Sequence, residues 1–145
     1  MKLVLQRVKN ASVTIDNKLF SSINKGILIL IGIEKGDSDA DIIKYAEKVS
    51  KLRIFADEND KMNLSIKDIK GEILVVSQFT LAGDCKKGTR PSFDKSAPPA
   101  EANKLYELFA QKLKDLDIPV KTGVFGAMMD VQLINDGPVT FILGE

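Results

Sequence analysis

The sequence predicts a single α/β domain over residues 1–145, built from a mixed β-sheet and two helices. Two short runs rich in β-branched residues, GILILIGI and EILVVSQ, have the length and composition of strands buried on both faces. Two longer segments repeat their apolar residues at three- and four-residue spacing, as amphipathic helices do. Strands that alternate with helices, with hairpins at both ends, are typical of a mixed-sheet α/β domain.

Four strands are predicted before the first helix. Residues 3–8 form the first of them. Residues 11–15 and 18–22 alternate in polarity around Asp16-Asn17, a pair that tolerates turn geometry, so they form a hairpin. Residues 26–33 are too few and too rich in isoleucine for a free-standing helix, and they form a strand buried on both faces.

The first helix is predicted over residues 39–52. Ser38 can accept a hydrogen bond as its N-cap, and acidic residues occupy the first turn. A short strand near residues 53–55 and a polar loop over residues 57–61 follow. Residues 72–78 then form the second buried strand, because β-branched residues occupy its centre.

Glycines and prolines over residues 82–99 exclude a helix or a central strand there, and a loop of this length is more often functional than idle. The second helix covers residues 100–116. Three strands follow, around Val120, around Val131 and over residues 139–143. The last two are joined by residues 135–138 (NDGP), which the local pattern indicates as a tight turn.

Composition excludes several kinds of chemistry. The chain has no histidine, which rules out Ser-His-Asp triads, Cys-His dyads and histidine metal sites, and we expect neither metal nor cofactor. Its 21 basic and 20 acidic residues create no general field for nucleic acid, so DNA binding is not expected. No run reaches the roughly 18 apolar residues of a membrane span, and a single cysteine, Cys85, suits a reducing compartment. We therefore expect a cytoplasmic protein without membrane contact.

Two motifs are candidates for function. Residues 77–81 (SQFTL) follow directly on a buried strand, and ligands gather at the carboxyl ends of strands in α/β sheets. Residues 135–140 (NDGPVT) place a proline after an Asp-Gly pair, just where a strand restarts. Each motif by itself is equally compatible with an ordinary strand end or turn.

Together the two motifs, with Arg-Pro-Ser-Phe at residues 90–93 between them, resemble the D-aminoacyl-tRNA deacylase family along the whole chain. The similarity begins at the strand that carries Gln6-Arg7-Val8. It implies a compact homodimer with a bent, barrel-like sheet covered by two helices. It also implies a hydrolase acting on carboxylic ester bonds, whose partner is the acceptor end of aminoacyl-tRNA.

The resemblance also assigns roles to residues. It places Gln78, Phe79 and Thr80 at the catalytic centre, with Ser77 lining the pocket. Gly137 and Pro138, in the cis form, enter the partner's pocket and reject L-aminoacyl groups, so that D-residues and glycine are removed. Arg7 holds this loop. Phe125 and Met129 receive the terminal adenosine of tRNA.

The residues themselves leave alternatives open. Thr80 is a possible nucleophile without an obvious base, and the loop cysteine Cys85 is more simply inert. Met128 and Met129 are more often core residues than ligand contacts. The basic stretch Lys86, Lys87, Arg90 and Lys95 is either a solvated loop or a phosphate contact along the acceptor stem, with RNA contact slightly favoured. Two other functions remain: an editing domain that removes a wrong L-amino acid, and a non-enzymic nucleic-acid-binding module.

Overall fold

A computed structural model describes residues 1–144. The strands and helices, in chain order, are β1 (Lys2–Ile15), β2 (Lys18–Ile23), β3 (Gly26–Gly32), α1 (Asp39–Lys51), β4 (Phe55–Ala56), β5 (Met62–Leu64), β6 (Glu72–Ser77), α2 (Pro99–Asp115), β7 (Val120–Thr122) and β8 (Asp130–Gly144). A 3-10 helix, Phe79–Ala82, follows β6. A six-stranded mixed sheet, a two-stranded sheet of β4 and β5, and two helices agree with the predicted α/β class. No helix within residues 1–144 is long and apolar enough to cross a membrane.

The main sheet bends toward closure. Its strands lie in the order β2-β1-β3-β6-β7, and β8 pairs with β1. Strand β6 is parallel to both β3 and β7, whereas β1 is antiparallel to β2, β3 and β8. The Ser21 hydroxyl of β2 donates a hydrogen bond to the Thr122 carbonyl of β7 at 2.8 Å. Because this contact joins the two ends of the five-strand path, the sheet is nearly a barrel.

Strand β3 separates two hydrophobic cores, as its composition predicts. Ile27, Ile29 and Ile31 belong to the larger core, which the sheet shares with both helices. Leu28 points to the opposite face and packs in a smaller core with Val13 and other side chains. Alternate side chains of a strand face opposite sides, so both sides of β3 are covered.

Both helices begin and end close to their predicted bounds. Ser38 and Asp41 form a reciprocal capping box at the start of α1, and Leu52 is its C-cap. Helix α2 starts one residue early, at Pro99, because proline is well suited to the first helical position, where no N–H acceptor is needed. The hairpin turn is also as predicted: Asp16 and Asn17 have φ of 49° and 61°, the left-handed geometry of a two-residue turn.

The predicted tight turn at residues 135–138 is wrong. Residues 130–144 form one strand, because both halves pair with the same partner, β1. Between the pairs Gln6–Thr140 and Val8–Asn135, β1 advances by two residues and β8 by five, so three additional residues bulge from β8. The first strand is likewise continuous through residues 9–10 instead of ending at Val8, since β8 pairs along almost its full length.

Candidate active site

A cavity of about 780 Å³ opens at the carboxyl end of β6. Its walls come from the ends of β3 and β6, the segment before α2, the inner face of α2 and the segment between β7 and β8. Five of the residues that the sequence indicates for the site line this cavity together: Ser77, Gln78, Phe79, Phe125 and Met129. Residues separated by about 50 positions in the chain therefore share one concave surface.

The chain turns sharply where β6 ends. Ser77 makes the last pair with Ile31 of β3, and the Gln78 N–H still donates to the Ile31 carbonyl at 2.8 Å. Gln78 then adopts φ −144° and ψ 81°, and the 3-10 helix begins at Phe79. The turn directs Ser77, Gln78 and Phe79 into the cavity at the carboxyl end of a strand, where α/β sheets place their ligands.

The first N–H groups of the 3-10 helix are free donors. Leu81 donates to the Gln78 carbonyl, but Phe79 and Thr80 come too early in the helix to find a backbone acceptor within residues 1–144. The Gln78 side-chain amide donates to the Thr80 hydroxyl. An amide nitrogen has no lone pair available for a proton, so this contact orients Thr80 without activating it.

The loop between the 3-10 helix and α2 brings the Arg-Pro-Ser-Phe segment to the cavity. The Phe93 ring packs against Phe79 with centroids 5.1 Å apart and planes tilted by 59°. A Cβ at Gly83 would lie 2.9 Å from the Thr80 carbonyl oxygen and 3.1 Å from the Phe93 ring, which explains the glycine there. Lys86, Lys87 and Arg90 are exposed on the same loop, which Asp84 and Ser92 close by pairing with each other.

Tyr106 is a site residue that the sequence analysis missed. Its hydroxyl lies 3.0 Å from the Val75 carbonyl of β6 and 3.5 Å from the Gly123 carbonyl, and its ring lies 5.9 Å from Phe125. Burial raises the pKa of the phenol to about 12, so it is neutral at physiological pH. A tyrosine on the apolar face of α2 was the available signal, because a buried phenol needs a polar partner.

The segment from Gly123 to Met129 forms the outer wall. A Cβ at Gly123 would lie 2.6 Å from the Met129 sulfur, so the glycine makes room for that side chain. Met129 packs against the smaller core and also lines the cavity. Met128, by contrast, is 91% exposed. The interpretation of Met128 as a core residue is therefore wrong.

Arg7, Gly137 and Pro138 lie apart from this cavity. Neither these three residues nor Thr80, which follows Phe79, are among its lining residues in the described part of the chain. Arg7 donates from Nε to the Asp136 carbonyl at 3.0 Å and from Nη1 to the Ile54 carbonyl at 2.8 Å. The next peptide bond along the bulge, Gly137-Pro138, is cis, and both residues are exposed.

A polar network fixes the two ends of the bulge. The Gln6 side-chain oxygen accepts hydrogen bonds from the Asn135 amide and the Thr140 hydroxyl. The Asn135 side-chain oxygen accepts from the Val139 N–H at 3.0 Å. The loop is thus held from β1 on one side and from its own flanks on the other, while Gly137 and Pro138 project outward.

Comparison with known proteins shows the family of the chain. The family model described as D-Tyr-tRNA(Tyr) deacylase matches residues 4–144. The chain belongs to this family. It is 62% identical over 143 residues to the D-aminoacyl-tRNA deacylase of Thermodesulfovibrio yellowstonii, covering 99% of this chain and 98% of that protein. The D-aminoacyl-tRNA deacylase of Thermosipho africanus is 56% identical over 143 residues, covering 99% and 96%.

Two solved structures share the fold of this family member. One, titled c-Myc DNA Unwinding Element Binding Protein, has a TM-score of 0.94 at 40% identity and covers 100% of this chain and 99% of its own. The other, titled as a probable eukaryotic D-amino acid tRNA deacylase, has a TM-score of 0.84 at 16% identity, covering 98% and 97%. The second likeness concerns the fold alone. Membership of the family confirms the predicted enzyme class, a hydrolase acting on ester bonds.

Proposed function

We propose that this protein hydrolyses the ester bond of D-aminoacyl-tRNA and releases free tRNA and the amino acid. The observation that carries the proposal is the cavity that joins the Ser77–Phe79 turn to Phe125 and Met129. One end of this cavity offers backbone donors and the other offers an aromatic ring and a thioether. An ester between an amino acid and a terminal adenosine has matching parts, a reactive carbonyl beside a flat base.

Phe125 and Met129 are the proposed contacts for the terminal adenine. Stacking of a base on an aromatic side chain contributes about 1 to 3 kcal/mol, without reading the sequence of the RNA. Tyr106 supports this surface, since its ring packs on Phe125 and its hydroxyl is anchored next to the carbonyls of Val75 and Gly123. The adenosine then holds the ester carbonyl near Phe79.

Catalysis relies on orientation and on backbone donors in this proposal. The free N–H groups of Phe79 and Thr80 are suited to stabilise the oxyanion that develops when water attacks the ester carbon. Fixed geometry contributes about 7 to 11 kcal/mol to such reactions, and one oxyanion donor about 2.7 to 4 kcal/mol. The ester is already activated, so strong general-base help is not essential.

The substrate itself supplies the group that activates water in our proposal, the ribose 2′-OH. The chain has no histidine for this task, and the Thr80 hydroxyl contacts an amide instead of a base. A tRNA ending in 2′-deoxyadenosine is therefore expected to react far more slowly than normal substrate. Equal rates for the two RNAs would refute this step.

The active form is proposed to be a homodimer. Ile142, Val4, Leu30 and Val76 occupy paired positions on four neighbouring strands, so they form one row on one face of the sheet. Val76 is buried, Val4 and Leu30 are half-buried, and Ile142 is 72% exposed. A second copy that covers this row removes apolar surface from water.

The same row connects the bulge to the cavity. Ile142 lies two residues from Thr140 at the edge of the bulge, and Val76 lines the cavity at the other end. Two copies related by a two-fold axis over this face would each direct Gly137 and Pro138 toward the cavity of the other. This arrangement explains why the exposed bulge at residues 135–138 is held in place by Arg7 although it lies apart from the cavity of its own chain.

Selectivity for D-residues is proposed to come from exclusion. Gly137 and Pro138 of the partner subunit form a wall that an L-residue would meet with its Cβ, whereas the side chain of a D-residue points to solvent. A clash rejects a substrate more strongly than a missing contact does. Glycine has no side chain, so glycyl-tRNA is also expected to react.

The direct test is incubation of the pure protein with matched D-tyrosyl-tRNA, L-tyrosyl-tRNA and glycyl-tRNA. We expect release of D-tyrosine and glycine, and no release of L-tyrosine above the uncatalysed rate. Equal hydrolysis of the D- and L-forms would refute the exclusion wall. Selective release of an L-amino acid would instead assign the chain to the editing of wrong L-residues.

DNA binding is the second candidate function, because the structure titled c-Myc DNA Unwinding Element Binding Protein is 40% identical to this chain. The nearly equal numbers of basic and acidic residues provide no general attraction for a duplex. Competition decides between the candidates. Excess duplex DNA is expected to leave deacylation of D-tyrosyl-tRNA unchanged, and inhibition at submicromolar DNA would favour a DNA-binding role.

A further inference from the structure

A second concave surface lies on the other side of the Tyr106 and Phe125 wall. This groove has a volume of about 500 Å³ and lies between α2 and residues 122–125. Tyr106 and Phe125 line both the groove and the candidate active site. The two concave surfaces therefore adjoin at these two side chains.

The groove differs from the cavity in its chemistry. Asn103, Glu107, Gln111 and Lys114 follow one another at three- and four-residue spacing, so α2 presents them all on one face toward the groove. Asn103 donates to Glu107 at 3.4 Å and Gln111 donates to Asp115 at 2.8 Å, and each amide keeps its oxygen and a second N–H for a ligand. Glu107 keeps a second carboxylate oxygen as an acceptor, and the Lys114 ammonium suits a phosphate. These groups match the edge of a nucleobase together with its backbone.

We propose that this groove binds the nucleotide that precedes the terminal adenosine of the substrate RNA. Gln111 and Asn103 contact the base edge, Glu107 accepts from its exocyclic amino group, and Lys114 contacts the phosphate. The inference rests on the proposed deacylase function and adds to it a second recognition site. Proteins read single-stranded RNA in this way, by hydrogen bonds to exposed base edges beside an aromatic surface.

The charges that face the groove agree with recognition of a single nucleotide. One lysine and one glutamate face the groove, so it does not attract polyanions in general. Within residues 1–144 Lys114 forms no salt bridge, which leaves its ammonium available. A nucleotide binds in this groove only when the terminal adenosine that follows it is already bound in the cavity.

The test compares substrates of different length. D-tyrosyl-tRNA contains the preceding nucleotide and D-tyrosyl-adenosine lacks it. The variant is Gln111→Ala combined with Lys114→Ala. Lys104→Ala is the matched control, because Lys104 is exposed on the same helix and does not line the groove. Thermal unfolding of each protein establishes that the fold is retained.

We expect the double variant to raise KM for D-tyrosyl-tRNA roughly tenfold through the loss of two hydrogen-bonding groups, with kcat unchanged. Its kcat/KM for D-tyrosyl-adenosine is expected to equal that of the wild type, and Lys104→Ala is expected to match the wild type on both substrates. An equal loss on both substrates, or no loss on either, would overturn the proposal.

A binding measurement separates this inference from the proposed activity. In amide-resolved NMR spectra of the wild type, the unacylated trinucleotide cytidine-cytidine-adenosine is expected to shift the side-chain signals of Asn103 and Gln111, and adenosine alone is not. Shifts without any deacylation would support the groove and refute the enzyme function. Deacylation with these signals unmoved would refute the groove alone.

Discussion

Replacement of Ile142 by alanine tests how the sheet face contributes to the dimer and to activity. Ile142 is 72% exposed in one chain and ends the row that continues through Val4 and Leu30. Because the side chain contacts little within its own chain, the substitution is expected to leave the fold of each subunit intact. We expect Ile142→Ala to weaken the association of the two subunits instead.

The expected magnitude follows from the exposed fraction of the side chain. Full burial of an isoleucine stabilises by about 1.5 to 3 kcal/mol, so covering the exposed 72% contributes about 1 to 2 kcal/mol in each copy. A two-fold interface contains the residue twice, which gives about 2 to 4 kcal/mol. At about 1.4 kcal/mol per factor of ten, Kd for the dimer rises roughly 30- to 700-fold.

Sedimentation velocity over a dilution series measures this shift. The wild type is expected near twice the chain mass of 15.9 kDa at micromolar concentration, and Ile142→Ala is expected to dissociate in the same range. Ile43→Ala is the control, since Ile43 is 39% exposed but lies on α1, away from the row. Deacylation should decrease in parallel with the dimer fraction. A wild type that is monomeric and fully active at nanomolar concentration would refute both the interface and the shared site.

Other predictions concern the site and its supports. Thr80→Ala is expected to retain most of kcat, because only the backbone N–H is required; a fall to background with tRNA binding intact would indicate a nucleophilic hydroxyl. Tyr106→Phe is expected to lower stability at pH 7 by about 1 kcal/mol, measured by urea unfolding. Burial raises the folded pKa of the Tyr106 phenol to about 12 against 10.0 for the ordinary phenol, so ionisation of this group does not affect stability below pH 10 and lowers it as pH rises from 10 to 12. The phenylalanine variant should lack that alkaline loss, and identical profiles would contradict the buried phenol. Gly137→Ala should cost about 1 to 3 kcal/mol, since φ is +134° and the new Cβ would lie 2.7 Å from Val139 Cγ2 and 3.2 Å from Arg7 Nη2. Gly36→Ala, at φ +92° with open space around it, controls for backbone geometry alone, and an equal cost at both positions would show that the contacts do not matter. Finally, exhaustive chelation should leave turnover unchanged in a chain without histidine, and rescue by zinc of activity lost in chelator would overturn that expectation.

Local patterns in the sequence determined most of the elements. The helical spacing of apolar residues, the Ser38 cap and the left-handed turn at Asp16-Asn17 each act within a few residues, so they were predictable. The strand bounds near Val8 and Val131 were not. A strand continues for as long as a partner pairs with it, and the partner of β8 is more than 100 residues away, at the start of the chain.

The candidate active site was likewise predictable from the sequence only in part. The sequence alone placed Ser77, Gln78 and Phe79 at a strand end, and its lack of histidine excluded histidine triads, dyads and metal sites. It could not show that Tyr106 connects α2 to β6, that residues 135–138 form a bulge braced by Arg7, or that Gly137 and Pro138 lie apart from the cavity of their own chain. Those facts depend on contacts between residues distant in the chain. Such contacts arise only when the sheet pairs and the helices pack, and tertiary structure therefore decided them.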